Sequence, residues 1–187
     1  MKLNIPVYLQ DDSQLEESWS EICGSQKASA VIALLFSQSP AHWSLAFTRR
    51  STKVGSHKGQ ISFAGGRRDQ KDHTPVDTAL RELEEELGIK SQDVTILKKL
   101  PTLKSLDGHP LVPLLGVTNI RPENWRPSPE EVAYVFSVPT IALTKSQRKE
   151  FAFNIFGQWR QSSLYEWNEE RIWGLTAHII DQLNFHS

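Results

Sequence analysis

The clearest pattern in the chain lies between Pro75 and Ile89. Leu80, Leu83 and Leu87 recur at intervals of three and four, with glutamates between them. That spacing predicts a helix over 75–87, with its leucines on a face that packs on a sheet. Pro75 sits in the first turn, where its missing N–H costs nothing, and Gly88 sits just past the end, where a left-handed cap is cheapest. Upstream, Leu15, Trp19 and Ile22 fall at helical spacing. They predict a short amphipathic helix over 10–24, capped by Asp11 or Asp12 and closed by Gly24. Residues 28–36 form an apolar run bounded by polar positions and predict a buried strand. A turn over 37–42 and a second strand over 43–49 complete a hairpin.

Beyond residue 50 the pattern turns polar. A brief strand at 60–63 ends in Gly65-Gly66, and a charged loop leads to the helix. Strands follow at about 93–101 and 110–120, then a Pro-rich loop over 121–129. Residues 130–136 predict a short turn leading into a strand, 140–149 a helix, 151–157 a strand and 170–184 a terminal helix. Strands and helices mix without strict alternation, which predicts an α/β fold with a mixed sheet packed by helices. With 187 residues and no repeat or long linker, the expectation is one domain over 1–187, with an N-terminal extension of about 27 residues.

Composition narrows the class. An apolar fraction of 39% and a formal net charge of -1 fit a globular chain. They exclude a whole-chain positive field for nucleic acid or a membrane surface. A single cysteine, Cys23, excludes an intrachain disulfide framework and reads as a buried small hydrophobe. No long apolar segment opens the chain, and the run 30–36 is too short to span a bilayer. A cytoplasmic location is the expectation.

The candidate chemistry lies on the best helix. Glu82, Glu85 and Glu86 stand at i, i+3 and i+4 and share a face, and Glu84 lies among them. An acidic run is ordinarily a solvated face. Four carboxylates within five residues repel one another, however, and Arg81 offsets only part of that. Hard divalent cations take such oxygens, usually together with substrate phosphates. The adjacent Gly65-Gly66 turn lets backbone approach a ligand closely.

Residues 65–89 resemble the Nudix box. Gly66 matches its glycine, and Asp72 stands at the position of its loop carboxylate. Arg81, Glu82, Leu83, Glu85, Glu86, Gly88 and Ile89 match its helical half. Asp72 and Arg81 are one residue further apart than in the general motif, which is similar to the coenzyme A pyrophosphatase branch. So are Leu45–Ser51 with His57–Gly66, Pro129–Pro139 and Ile172–Ile180. Two positions depart from that branch: Ala64 replaces a proline and Gly55 an arginine.

The resemblance implies a Nudix-like α/β/α sandwich and Mg2+- or Mn2+-dependent hydrolysis of a nucleoside diphosphate derivative. Coenzyme A or acyl-CoA is the first substrate, and ADP-ribose or another nucleoside diphosphate sugar the alternative. It implies metal ligands at Glu82, Glu85 and Glu86, with a carbonyl at Gly65 or Gly66. Arg81 orients a glutamate. A water nucleophile loses its proton to Glu82, or to Glu130 or Glu131 on the later loop. Arg49, Arg50, Lys58 and Arg67 are candidate phosphate contacts against the alternative of ordinary surface charges, Lys53 or Lys58 could stand in for the arginine missing at position 55, and His57 is a weaker phosphate or proton site. Trp19, Trp159 and Trp173 are read as packing anchors. No role falls to His178 or His186. A homodimer is compatible with the family. A non-catalytic nucleotide-binding module of the same fold would tolerate loss of the box carboxylates, all of which are present. An mRNA-decapping role lacks a basic stripe with interleaved aromatics.

Overall fold

The computed structural model describes residues 15–24, 27–39, 42–53, 58–155 and 157–185. Among the described residues, eight strands form one sheet: β1 (Ser29–Ser39), β2 (His42–Arg50), β3 (Ile61–Ser62), β4 (Ala64–Arg67), β5 (Val94–Lys99), β6 (Leu103–Lys104), β7 (Pro110–Thr118) and β8 (Val132–Pro139). β1 pairs with β7 in parallel and every other pairing is antiparallel, so the sheet is mixed. β9 (Lys149–Ile155), β10 (Gln158–Trp167) and β11 (Glu170–Trp173) make a second, antiparallel sheet. The helices are α1 (Trp19–Cys23), α2 (Pro75–Leu87) and α3 (Gly174–Leu183).

Alternation along β1 divides the core. Ala30, Ile32, Leu34 and Phe36 lie on one face and pack with Ala79, Leu83 and Leu87 of α2. Ala33 and Leu35 lie on the other and pack with Ala177, Ile180 and Leu183 of α3. The two helices thus cover opposite faces, and the architecture is an α/β/α sandwich. Among the described residues, no helix is long and apolar enough to cross a membrane.

One irregularity builds the site. β1 and β2 pair from Ser39/His42 back to Leu35/Leu45. Beyond that point β1 pairs with β4, through Ile32 to Ala64, and β2 pairs with β3, through Thr48 to Ser62. The β3–β4 segment therefore fills the wedge between diverging strands and delivers Gly65 and Gly66 beneath α2.

Helix α2 spans the expected 75–87, with Pro75 in its first turn. Thr74 caps it reciprocally with Asp77: each side chain accepts from the other's backbone N–H, at 3.1 and 2.8 Å. Gly88, at φ 68°, ends it.

Several expectations are corrected. The described part of the first helix is Trp19–Cys23, capped by Ser18 through a capping box with Glu21, and Gly24 closes it; the expected Asp11 and Asp12 caps lie outside the described residues. Residues 140–149 form two 3-10 turns, Thr140–Leu143 and Lys145–Gln147, before β9 begins. Three β-branched residues, Thr140, Ile141 and Thr144, disfavour a longer helix there, and the Thr144 hydroxyl turns to Ser146 at 2.9 Å. The terminal helix begins only at Gly174, whose φ of 68° breaks the chain away from β11. β10 was not anticipated, because it is largely polar at its start and buries only Leu164 and Tyr165. Trp159 is 74% exposed and anchors nothing, whereas Trp19 is fully buried. Cys23 is only partly buried.

Candidate active site

Three carboxylates converge. Glu82 and Glu86, one turn apart on α2, and Glu131, on the loop before β8, place oxygens within 4.8 Å of one another. Glu131 is 45 residues from Glu86 in sequence, and the C-terminal end of α2 explains the meeting. Its last carbonyls lack helical partners. Arg126 donates its N–H to the Leu87 carbonyl at 2.8 Å, and Ser128 to the Glu86 carbonyl at 2.9 Å. The loop is thereby docked on the helix end. Ser51 at the end of β2 then donates to the Glu131 carbonyl at 2.8 Å.

The glycines set the floor. A Cβ on Gly65 would lie 2.3 Å from the Ala30 carbonyl oxygen, and its φ of 147° favours glycine. A Cβ on Gly66 would lie 2.4 Å from the Glu82 carboxyl carbon, so Glu82 rests directly on that backbone.

Glu86 is 2% exposed. Burial pushes its carboxyl up to about 8, and Glu82 and Glu131 add to the rise. Arg50, at 3.5 Å, and the Gly65 N–H, at 3.3 Å, oppose it. Burial also raises Glu82, against the pull of Arg81. Charges that repel and resist ionisation in this way suit a site completed by a cation.

Arg81 ties the site to the loop before α2. Its Nε and Nη2 engage the Asp72 carboxylate at 3.2 and 2.9 Å, and Nη2 also donates to the Arg67 carbonyl at 2.9 Å. Nη1 reaches Glu82 at 2.9 Å and Glu85 at 3.0 Å. Burial alone would raise Asp72, but Arg81, the Asp69 N–H and Thr78 together hold its carboxyl below the ordinary value.

The remaining expected positions are dispersed. Glu85 stands outside the convergent trio, with its side chain 51% exposed. Glu130 is exposed and pairs with Lys53 at 2.8 Å. Arg50 faces Glu86, whereas Arg49 pairs with Glu170 at 2.8 Å. Lys58 and the side chain of Arg67 are exposed. Gly55, His57 and His186 lie outside the described residues. Sequence reasoning missed Thr78, fully buried against Asp72, and the docking of Ser128. The six-residue step from Asp72 to Thr78 carries no recognisable signal, because Asp72 is on a loop.

A family model described as NUDIX domain matches residues 26–159. The chain belongs to the Nudix family. It is 32% identical over 178 residues to a Pectobacterium atrosepticum protein named "Uncharacterized Nudix hydrolase NudL", covering 91% of this chain and 87% of that one. A NudL protein of Photorhabdus laumondii is 40% identical over 141 residues, 74% of each chain. Among solved structures, a MutT/nudix family protein from Enterococcus faecalis shares the fold at TM-score 0.55 and 14% identity, covering 84% of this chain and 60% of that one. A C. elegans Ap4A hydrolase complex does so at TM-score 0.51 and 15% identity, covering 60% and 80%. This Nudix chain is therefore a pyrophosphohydrolase, an enzyme acting on nucleoside diphosphate derivatives. Divalent-metal dependence is general in this family, and the acidic trio is where the chain can meet it.

Proposed function

We propose that this Nudix enzyme hydrolyses the diphosphate of coenzyme A or an acyl-CoA. One water is added, and 4′-phosphopantetheine (or its acyl form) and adenosine 3′,5′-bisphosphate leave. The convergence of Glu82, Glu86 and Glu131 on one point carries the metal-dependent hydrolytic part of this reading. Those residues would hold Mg2+ or Mn2+, beside the Gly66 backbone on which Glu82 rests. When bound, such ions neutralise phosphate charge and lower the pKa of water.

The side chains do the rest. Arg81 fixes the Glu82 carboxylate. Arg50, which faces Glu86 at 3.5 Å, offers phosphate a charge-assisted contact, and its buried Nε has no hydrogen-bond partner among the described residues. Glu131 takes the proton of the attacking water. It is favoured over Glu130, which is exposed and occupied by Lys53. A groove of about 500 Å³, lined by Pro127, Pro129, Val132 and Tyr134, which bracket Glu131 in sequence, gives room to the part of the substrate that does not react.

The substrate is narrowed by similarity of residues 45–51, 57–66, 129–139 and 172–180 to the coenzyme A branch. One observation favours ADP-ribose or another nucleoside diphosphate sugar. Lys53, a cation that could clamp a 3′-phosphate in place of the arginine missing at position 55, is paired with Glu130. Turnover of coenzyme A, its 3′-dephospho form and ADP-ribose with Mg2+, with products identified, tests the choice. Preference for the 3′-phosphate supports the coenzyme A reading. Equal turnover with and without it, or faster ADP-ribose cleavage, removes it.

A further inference from the structure

We infer that Trp19 is a positioning residue for the acidic site, acting on Glu82 through Thr78, Asp72 and Arg81; this rests on the reading of that site as a metal-dependent hydrolase. Trp19 precedes the family-matched residues 26–159, yet it is fully buried against α2. Its indole Nε1–H donates to the Thr78 hydroxyl at 3.0 Å. That hydroxyl donates to Asp72 Oδ2 at 2.9 Å. Asp72 holds Arg81 by two nitrogens, and Arg81 Nη1 holds Glu82.

The direction of this chain is forced. An indole N–H can only donate and an ionised carboxylate can only accept, so the Thr78 hydroxyl receives from one and gives its single proton to the other. A helical threonine otherwise turns its hydroxyl toward the carbonyl four residues back, which here is Thr74. By occupying the acceptor side of that hydroxyl, Trp19 commits its proton to Asp72. Asp72 then has both oxygens satisfied in one orientation and fixes the guanidinium plane.

The same tryptophan secures the loop that carries Asp72. The Trp19 N–H donates to the His73 carbonyl at 2.9 Å. The Arg68 guanidinium lies 5.9 Å from the Trp19 ring centroid, and Arg68 Nη1 donates to the Gly24 carbonyl at 3.0 Å. The segment ahead of the family domain thus grips both ends of the loop between β4 and α2.

The test compares Trp19→Phe, which keeps an aromatic filler but deletes the donor, with Thr78→Val and Thr78→Ser. Two readouts need no substrate: the exchange rate of the Arg81 Nε–H by NMR, and Mn2+ affinity by EPR titration, both well below the unfolding temperature. Trp19→Phe and Thr78→Val are each expected to speed exchange by about tenfold and weaken Mn2+ by roughly 10-fold. Thr78→Ser should stay near the unmodified chain, and the double variant Trp19→Phe/Thr78→Val should be no worse than Thr78→Val alone. Unchanged exchange and Mn2+ affinity in Trp19→Phe, with only a lower melting temperature, would make Trp19 a packing residue and overturn the inference. If the unmodified chain binds no Mn2+, the proposed function falls, and the Arg81 exchange rate still decides whether Trp19 fixes the guanidinium.

Discussion

Gly66 and Glu82 touch so closely that a Cβ on the glycine would stand 2.4 Å from the carboxyl carbon. Gly66→Ala must therefore push Glu82 off its seat. A displacement near 1 Å at a reacting centre costs about 10²-fold, so kcat should fall by roughly 10–100-fold with the fold retained. Gly108→Ala, with nothing among the described residues within 4 Å of the added methyl but a strained φ of 84°, controls for destabilisation alone: it should lower the melting temperature and leave kcat unchanged. Steady-state kinetics and a melting curve check both, and full activity in Gly66→Ala would contradict the contact.

Glu86→Gln removes a carboxylate that would hold the ion while keeping its shape. Loss of one charge-stabilising group of this kind costs about 10²–10³ in kcat. A neutral amide is also cheaper to bury than a carboxylate, so the metal-free variant should melt no lower than the unmodified chain. Near-normal turnover at saturating Mg2+ would show that the ion binds elsewhere.

The same residue gives the metal-free protein a pH dependence. The Glu86 carboxyl is pushed from its ordinary 4.5 up to about 8, so the fold favours its protonated form. That contribution is fully present below about 4.5 and is lost as pH rises through 8. Asp72 has the opposite sign: it is held below its ordinary 3.8, and its contribution is lost only in stronger acid. Melting of the EDTA-treated protein should therefore fall between about pH 4.5 and 8, with the slope flattened in Glu86→Gln. The same slope in both would contradict the burial of that carboxyl.

Glu131 and Glu130 are adjacent in sequence but differently placed. Removal of a general base costs about 10²–10⁴ in rate, and Glu131→Gln should lower kcat in that range. Glu130→Gln breaks only an exposed ion pair with Lys53 and should change kcat by less than about twofold. A reversed order in the kinetics would assign the proton transfer to the outer residue.

The legible parts of the fold share strong local signals. Helix α2 is bounded by Pro75 and Gly88 and patterned by Leu80, Leu83 and Leu87, so its span reads directly. The β1–β2 hairpin is nearly as plain, because its strands are apolar on both faces. The illegible parts depend on partners distant in sequence. β10 is held by β9 and β11 rather than by its own periodicity. Glu131 reaches Glu86 only because Arg126 and Ser128 donate to the carbonyls at the end of α2. The box pattern proposes carboxylates on one helix face, but it does not say that Glu85 turns to Arg81 while Glu86 is buried. Thr78 is silent in sequence, since a helical threonine is ordinary until an indole and a carboxylate meet on its hydroxyl.

The most direct measurement is anomalous diffraction from crystals soaked in Mn2+ with a non-hydrolysable nucleoside diphosphate. An Mn2+ peak among the Glu82, Glu86 and Glu131 oxygens, adjoining the diphosphate, is the expected result. Diphosphate bound with no Mn2+ at that point, or Mn2+ bound only at another surface, would contradict the account.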